Sequence, residues 1–210
     1  MPRVINEALR VFSSRFSNNL LLSAIVFLAF VSPAHAADVT FSRIKIDGAF
    51  RSEGVAAADL NHDGKIDIVA GDVWYAAPKW TMHAFRPVGK FVAGKGYSNS
   101  FVNMTYDVNA DGWDDIIVMG FPGDPFHWYE NPKNKAGHWK ERVIWHSVCN
   151  ESPLFEDLVG DGKPEIILGS QPESKMGFLP LPSAKKANDK WAFNAVSRSG
   201  DPTKNGTFKY

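Results

Sequence analysis

Three nine-residue stretches gather most of the side chains that could do chemistry. "DLNHDGKID" runs from Asp59 to Asp67, "DVNADGWDD" from Asp107 to Asp115 and "DLVGDGKPE" from Asp157 to Glu165. Counted from its first aspartate, the first loop places oxygen-bearing side chains at positions 1, 3, 5 and 9: Asp59, Asn61, Asp63 and Asp67. Gly64 is at position 6 and Lys65 at position 7. The second loop repeats the order with Asp107, Asn109, Asp111, Gly112, Trp113 and Asp115. Alternate side chains of a tight loop converge on one point, and a hard cation such as Ca2+ takes roughly six to eight oxygen ligands. Carboxylates held this close repel one another, and a divalent ion relieves the repulsion. The glycine admits the positive φ of a sharp turn. Position 7 would offer its backbone carbonyl, so a lysine and a tryptophan serve equally there. The third loop departs from the pattern, with Val159 at position 3 and Glu165 at position 9. Asp157, Asp161 and Glu165 are therefore expected to bind weakly or not at all. The other reading of all three stretches is a set of metal-free Asx turns.

The same first half occurs in helix–loop–helix calcium sites, which also require a glutamate at position 12 and flanking helices. Position 12 is Ala70, Val118 and Leu168, inside apolar runs, so that reading fails. The loops are expected to join two strands. They start 48 and 50 residues apart, and a period in this range marks a solenoid, a propeller or an array. The flanks repeat as well. "IDIVAG", "DDIIVMG" and "PEIILG" follow the loops, then "VWYAAP", "HWYENP" and "MGFLP", then "WTMHAF", "WKERVIW" and "WAFNAV". With a short run before each loop, every unit reads as four short strands, rich in β-branched and aromatic residues. The expected fold is all-β: four-stranded blades of a β-propeller, over about residues 53–86, 100–146 and 151–198. Trp74, Trp80, Trp128, Trp139 and Trp191 recur by repeat position, which assigns them to packing between blades.

The acidic loop, the following strand and the period resemble the FG-GAP/VCBS repeat of integrin α-subunit propellers and many secreted bacterial proteins. The resemblance covers about residues 39–196. It implies Ca2+ in the turn between the first and second strands of a blade, held by Asp59, Asn61, Asp63, Lys65 and Asp67 and by Asp107, Asn109, Asp111, Trp113 and Asp115. "VTFSRIKI", Val39 to Ile46, resembles the fourth strand of a blade without its first three. The expectation is an incomplete propeller of three blades plus this orphan outer strand, the front part of a longer protein.

The N-terminus has the three-part pattern of an export signal. Arg3, Arg10 and Arg15 precede the apolar run Leu20 to Val31, and Ala34-His35-Ala36 follows as a small-x-small cleavage site. The run is short for a membrane span of about 20 residues; an uncleaved anchor is the other reading. Removing residues 1–36 leaves 20 basic and 22 acidic side chains, a net charge of −2. The protein is expected to be secreted, periplasmic or on the cell surface, with no stable membrane span after cleavage. No Lys/Arg run is present, which argues against nucleic acid as a partner. The single cysteine, Cys149, excludes an internal disulfide and leaves metal as the obvious brace.

If the acidic loops share one face, the remaining connections share the other. They bring Arg51, Glu53, Asp72, Tyr97, Asp124, His127, Asn150 and Glu151 into reach of a central channel, as a sugar or peptide site or simply as solvated loop residues. N-x-S/T acceptors stand at Asn103, Asn150 and Asn205 and matter only in a eukaryotic secretory pathway. HExxH, paired CxxC and GxSxG are all missing from the sequence. The function expected is an exported, calcium-stabilised binding module for an unknown protein or carbohydrate ligand. The alternative is the propeller part of a carbohydrate-active lyase or of a dehydratase resembling aldos-2-ulose dehydratase.

Overall fold

The computed structural model describes residues 39–198. The export signal and Asn205 lie outside the described residues. The chain divides into a unit Met1–Ile44 and a unit Lys45–Tyr210, and every strand among the described residues lies in the second.

Each repeat folds into a four-stranded antiparallel sheet. Sheet 1 comprises β1 (Val55–Ala58), β2 (Asp67–Ala70), β3 (Val73–Ala76) and β4 (Thr81–Ala84). Sheet 2 comprises β5 (Val102–Tyr106), β6 (Asp115–Met119), β7 (Phe126–Glu130) and β8 (Lys140–Trp145). Sheet 3 comprises β9 (Leu154–Glu156), β10 (Glu165–Ser170), β11 (Lys175–Pro180) and the two-residue β12 (Asn194–Ala195). Strand order follows chain order in all three, as tight connections between consecutive strands require. The only helical turn among the described residues is a short one at Ala184–Lys186.

Every side chain of β6 is buried, so sheet 2 is covered on both faces. Successive strand residues point to opposite faces. Ile116 and Val118 therefore join Val69, Trp74 and Phe85 of the first repeat in one core. Ile117 and Met119 join Ile166, Leu168 and Leu179 of the third repeat in another. Trp128 and Phe126 lie fully buried in that second core. The first strands of consecutive sheets are neighbours: β1 lies against β5, and Tyr106 of β5 meets Phe155 of β9 edge-on with ring centroids 5.9 Å apart. This is the arrangement of consecutive blades, and among the described residues it forms an open series of three.

The segment before β1 passes close to Gly71, in the turn between β2 and β3. Its φ is +69°, and a Cβ there would collide with the backbone carbonyl of Arg51. Asn103 of β5 ties this turn to sheet 2: its Oδ1 accepts from the Gly71 amide at 3.1 Å. Asn103 Nδ2 donates back to the Gly71 carbonyl at 3.4 Å. Asn103 is buried, so the first N-x-S/T acceptor is a packing residue.

One strand expectation is corrected. Val39 to Ile46 forms no strand. Val39, Phe41 and Ile44 are exposed, whereas Ile46 packs against Ala70, Val73 and Tyr75. An outer strand needs a neighbour to pair with, and none of the described strands pairs with this segment.

Four of the five recurring tryptophans, Trp74, Trp128, Trp139 and Trp191, are buried in the two inter-sheet cores, whereas Trp80 is half-buried against Ala70, Val73 and Tyr75 of sheet 1. Replacing Trp128 by Ala empties the centre of the sheet 2–sheet 3 core. The expected cost is about 3–5 kcal/mol in denaturant unfolding, the range for deleting a large buried aromatic.

Candidate metal centre in the acidic turns

The three acidic stretches fall where β1 meets β2, β5 meets β6 and β9 meets β10. Their backbones share one design. Position 4 is left-handed in each: His62 at φ 59°, Ala110 at 53° and Gly160 at 78°. Position 6 is left-handed too, with Gly64, Gly112 and Gly162 at 80°, 88° and 85°. A Cβ at the three position 6 glycines would meet open space, so the dihedral, not crowding, selects glycine there.

Within each turn the carboxylates receive backbone amides. Asp59 Oδ1 accepts from Asp63 N at 3.1 Å and Oδ2 from Gly64 N at 2.9 Å. Asn61 Oδ1 accepts from the same Asp63 amide at 2.9 Å, which brings positions 1 and 3 together. Asp63 Oδ1 accepts from Lys65 N at 2.9 Å. Asp107, Asn109 and Asp111 make the matching bonds to Asp111 N, Gly112 N and Trp113 N. In the third turn Asp157 takes over the missing position 3 acceptor. It receives Gly160, Asp161 and Gly162 amides, and Asp161 receives Lys163 N.

The remaining oxygen of position 5 already attracts cations. Lys65 Nζ lies 3.5 Å from Asp63 Oδ2, and Lys133 Nζ lies 3.2 Å from Asp111 Oδ2. Among the described residues no three His, Cys, Asp or Glu side chains group as a metal site. Turns 1 and 2 offer two aspartates and an asparagine amide, a donor set of oxygen only that suits a hard cation.

Position 9 faces inward. Asp67 is fully buried. Its Oδ2 accepts from Leu60 N at 3.0 Å and its Oδ1 from Ala77 N at 2.9 Å. Asp115, also fully buried, accepts from Val108 N at 3.2 Å and Asn131 N at 2.8 Å. One carboxylate thus ties the turn to the end of the third strand. Burial pushes the Asp115 carboxyl up to about 7, against the amides that favour its ionised form. Asp67 moves up for the same reason. Glu165 reaches only the turn, accepting from Leu158 N at 2.8 Å and Val159 N at 3.2 Å.

Sheet 2 also holds the first turn from outside. Asn131 Nδ2 donates to the Leu60 carbonyl at 2.9 Å, and Asn134 Nδ2 to the Asn61 carbonyl at 2.9 Å. His62 stacks on Trp113, centroids 3.7 Å apart and planes 7° from parallel. Asn131, Lys133 and Asn134 were not singled out by the turn pattern. Their signal is the amide-rich segment "ENPKN", which ends the third strand of the second repeat.

The other candidate residues are engaged in bracing. Arg51 pairs with Asp47 at 2.9 Å, and Glu53 receives the Ser98 amide at 3.0 Å. Asp72 pairs with Arg86 at 2.6 Å. Arg86 donates on to Tyr129 at 3.0 Å, and Tyr129 to Glu141 at 2.6 Å, where His127 Nδ1 also lies 2.8 Å away. Burial lowers His127. Asp124 caps its own turn through Phe121 N, and Asn150 accepts the Gly169 amide. Tyr97 is exposed and packs on Phe101 and Phe121, and Glu151 is exposed. Six of the eight, Arg51, Glu53, Asp72, Asp124, His127 and Asn150, tie connections to neighbouring backbone or side chains.

Residues 107–168 match the model of the FG-GAP-like repeat. That stretch spans the second acidic turn, the rest of sheet 2 and the third turn up to position 12. It supports an FG-GAP repeat protein, and the same turn and sheet recur in the first repeat. No curated protein matches the chain.

Two outcomes follow. Asp115→Ala leaves two buried amides without acceptors and costs about 1–3 kcal/mol for each, read by denaturant unfolding with no cation added. Asp47 is held well below the ordinary carboxylate range by the Tyr75 hydroxyl, then the Ala49 amide and Arg51. A depressed carboxyl stabilises the fold above its unfolded value, about pH 4, and loses that contribution as pH falls through the folded value. Asp47→Asn is therefore expected to lower stability at neutral pH and to flatten the loss below about pH 4, read from unfolding curves across pH.

Proposed function

We propose that this chain is an interaction module of FG-GAP-type blades, exported from the cytoplasm, whose acidic turns hold Ca2+ as a brace. The observation that carries the reading is the division of labour inside turns 1 and 2. Backbone amides take one oxygen of Asp63 and of Asp111, and a lysine ammonium attends the other. Asp59, Asn61, Asp63 and the Lys65 carbonyl would hold one ion; Asp107, Asn109, Asp111 and the Trp113 carbonyl would hold the second. Asp67 and Asp115 support these sets from beneath. Bound there, the ion neutralises clustered carboxylates and fixes the turn on which the strand pair depends. The third turn, with Val159 in place of an amide, binds more weakly through Asp157 and Asp161.

A brace leaves the rest of the surface free for recognition, and the ligand class we favour is a protein or a carbohydrate. The N-terminal export pattern and the absence of disulfides agree with a domain stabilised by extracellular calcium, where such sites bind at about 10⁻⁴–10⁻³ M. Thermal unfolding tests the reading. Adding Ca2+ to about 10 mM is expected to raise the midpoint by several degrees, since ligands that bind only the folded state stabilise it by mass action. Chelator reverses the rise, and the double variant Asp63→Asn, Asp111→Asn blunts it. An unchanged midpoint across the titration rejects the calcium brace.

A further inference from the structure

A cleft of about 590 Å3 lies between sheets 1 and 2, inside the range of roughly 300–1,000 Å3 that small-molecule sites occupy. On one side β4 presents His83, whose exposed imidazole stacks on Trp74 with centroids 4.3 Å apart and planes 17° from parallel. On the other, the connection between β7 and β8 brings Asn134 and Lys135. Leu60, Trp74 and Trp139 also line the cleft, and all three belong to the core shared by the two sheets. The apolar wall is therefore fixed. The polar wall is tied down as well. Besides the Asn131 and Asn134 bonds to turn 1, the Lys133 amide donates to Asn131 Oδ1 at 2.9 Å, and the Trp139 amide to the Phe85 carbonyl at 2.8 Å. A lining held this way loses little freedom when a ligand arrives.

The lining selects the occupant. Flat aromatic rings take the C–H face of a sugar ring, and side-chain amides take hydroxyls as both donor and acceptor. Among the described residues no aspartate or glutamate lines the cleft, and Lys135 is its one lysine. A second cleft of about 320 Å3 shares Asn131, Pro132 and Lys135 and adds Lys133, His138 and Lys140. Its one carboxylate, Glu130, is paired with Arg142 at 2.6 Å. The turn 1 carboxylates line neither cleft, and they already receive backbone amides and the Lys65 ammonium. An acidic peptide shares the charge that suits such a lining, but it lacks a flat C–H face for the rings and hydroxyls for the amides. We propose that this cleft binds an acidic sugar, one ring against the His83–Trp74 pair and its carboxylate toward Lys135. The proposal rests on the reading of the chain as a binding module and gives that module a site and a ligand class.

Calorimetric titration of the full chain, expressed in an exporting host, tests it. The probes are trimers of galacturonic, mannuronic and glucuronic acid, a neutral galactose trimer and tri-glutamate. At least one acidic trimer is expected to bind with a Kd on the order of 10⁻⁴ M, about tenfold or more tighter than the galactose trimer and tri-glutamate, as one charge-assisted contact provides. His83→Ala and Lys135→Gln change exposed side chains, and circular dichroism checks that the fold is kept. His83→Ala is expected to weaken binding about fivefold or more by removing a ring from the stack. Lys135→Gln is expected to erase the preference for the acidic over the neutral trimer, and Lys135→Arg to keep it. Three results overturn the proposal: no acidic trimer binds, the galactose trimer or tri-glutamate binds equally well, or binding ignores both substitutions. The calcium titration of the unfolding midpoint keeps the two readings apart. A chain that Ca2+ stabilises and no acidic trimer binds loses the sugar cleft alone, and the reverse pair of results loses the calcium brace alone.

Discussion

A four-stranded sheet with apolar side chains on both faces cannot bury itself, and this constraint governs the molecule. β6 carries it furthest: Ile116 and Val118 need a partner on one side, Ile117 and Met119 on the other. Two cores result, and each belongs to a pair of repeats and not to any one of them. Burial at about 25 cal/mol per Å2 of apolar surface is then collected only when sheets stack. The repeat is thus the unit of sequence, and the interface between repeats is the unit of stability.

The polar groups follow from that stacking. A buried carboxylate is costly unless its oxygens are hydrogen-bonded. Asp67 and Asp115 meet the condition with two backbone amides each, one from the turn and one from the end of the third strand. The turn is therefore anchored from within before any cation is considered. Asn131 and Asn134 add an anchor from the adjacent sheet, and the His62–Trp113 stack joins the first two turns directly. The acidic turns are consequently part of the junction between repeats, and not isolated loops at its edge.

Glu165 illustrates how one extra methylene alters this scheme. Its Oε2 reaches both turn amides, Leu158 and Val159, but no third-strand amide answers it as Ala77 and Asn131 answer the aspartates. Glu165 pairs in register with Pro180, so the matching third-strand amide is that of Leu181, and it makes no bond to Glu165. The third turn, already short of its position 3 amide, is the least tied of the three.

Much of this was legible in the chain itself. The period of the acidic stretches, the β-branched runs after them and the position 6 glycines specify turn, strand and repeat through local backbone preference and alternation. The candidate metal positions 1, 3 and 5 follow from the same spacing, because turn geometry is local. What spacing does not carry is which residues of distant repeats meet. Asn103 holding Gly71, Asn134 reaching Asn61 and Arg86 linking Asp72 to Tyr129 join residues that only sheet stacking brings together. For the same reason "VTFSRIKI" reads as a strand by alternation, yet Val39 to Ile46 forms no strand and pairs with none among the described residues. Sequence determined the repeat and its turns; the tertiary structure decided how position 9 is spent and which repeats share a core, because burial and hydrogen bonding across repeats are properties of the stack.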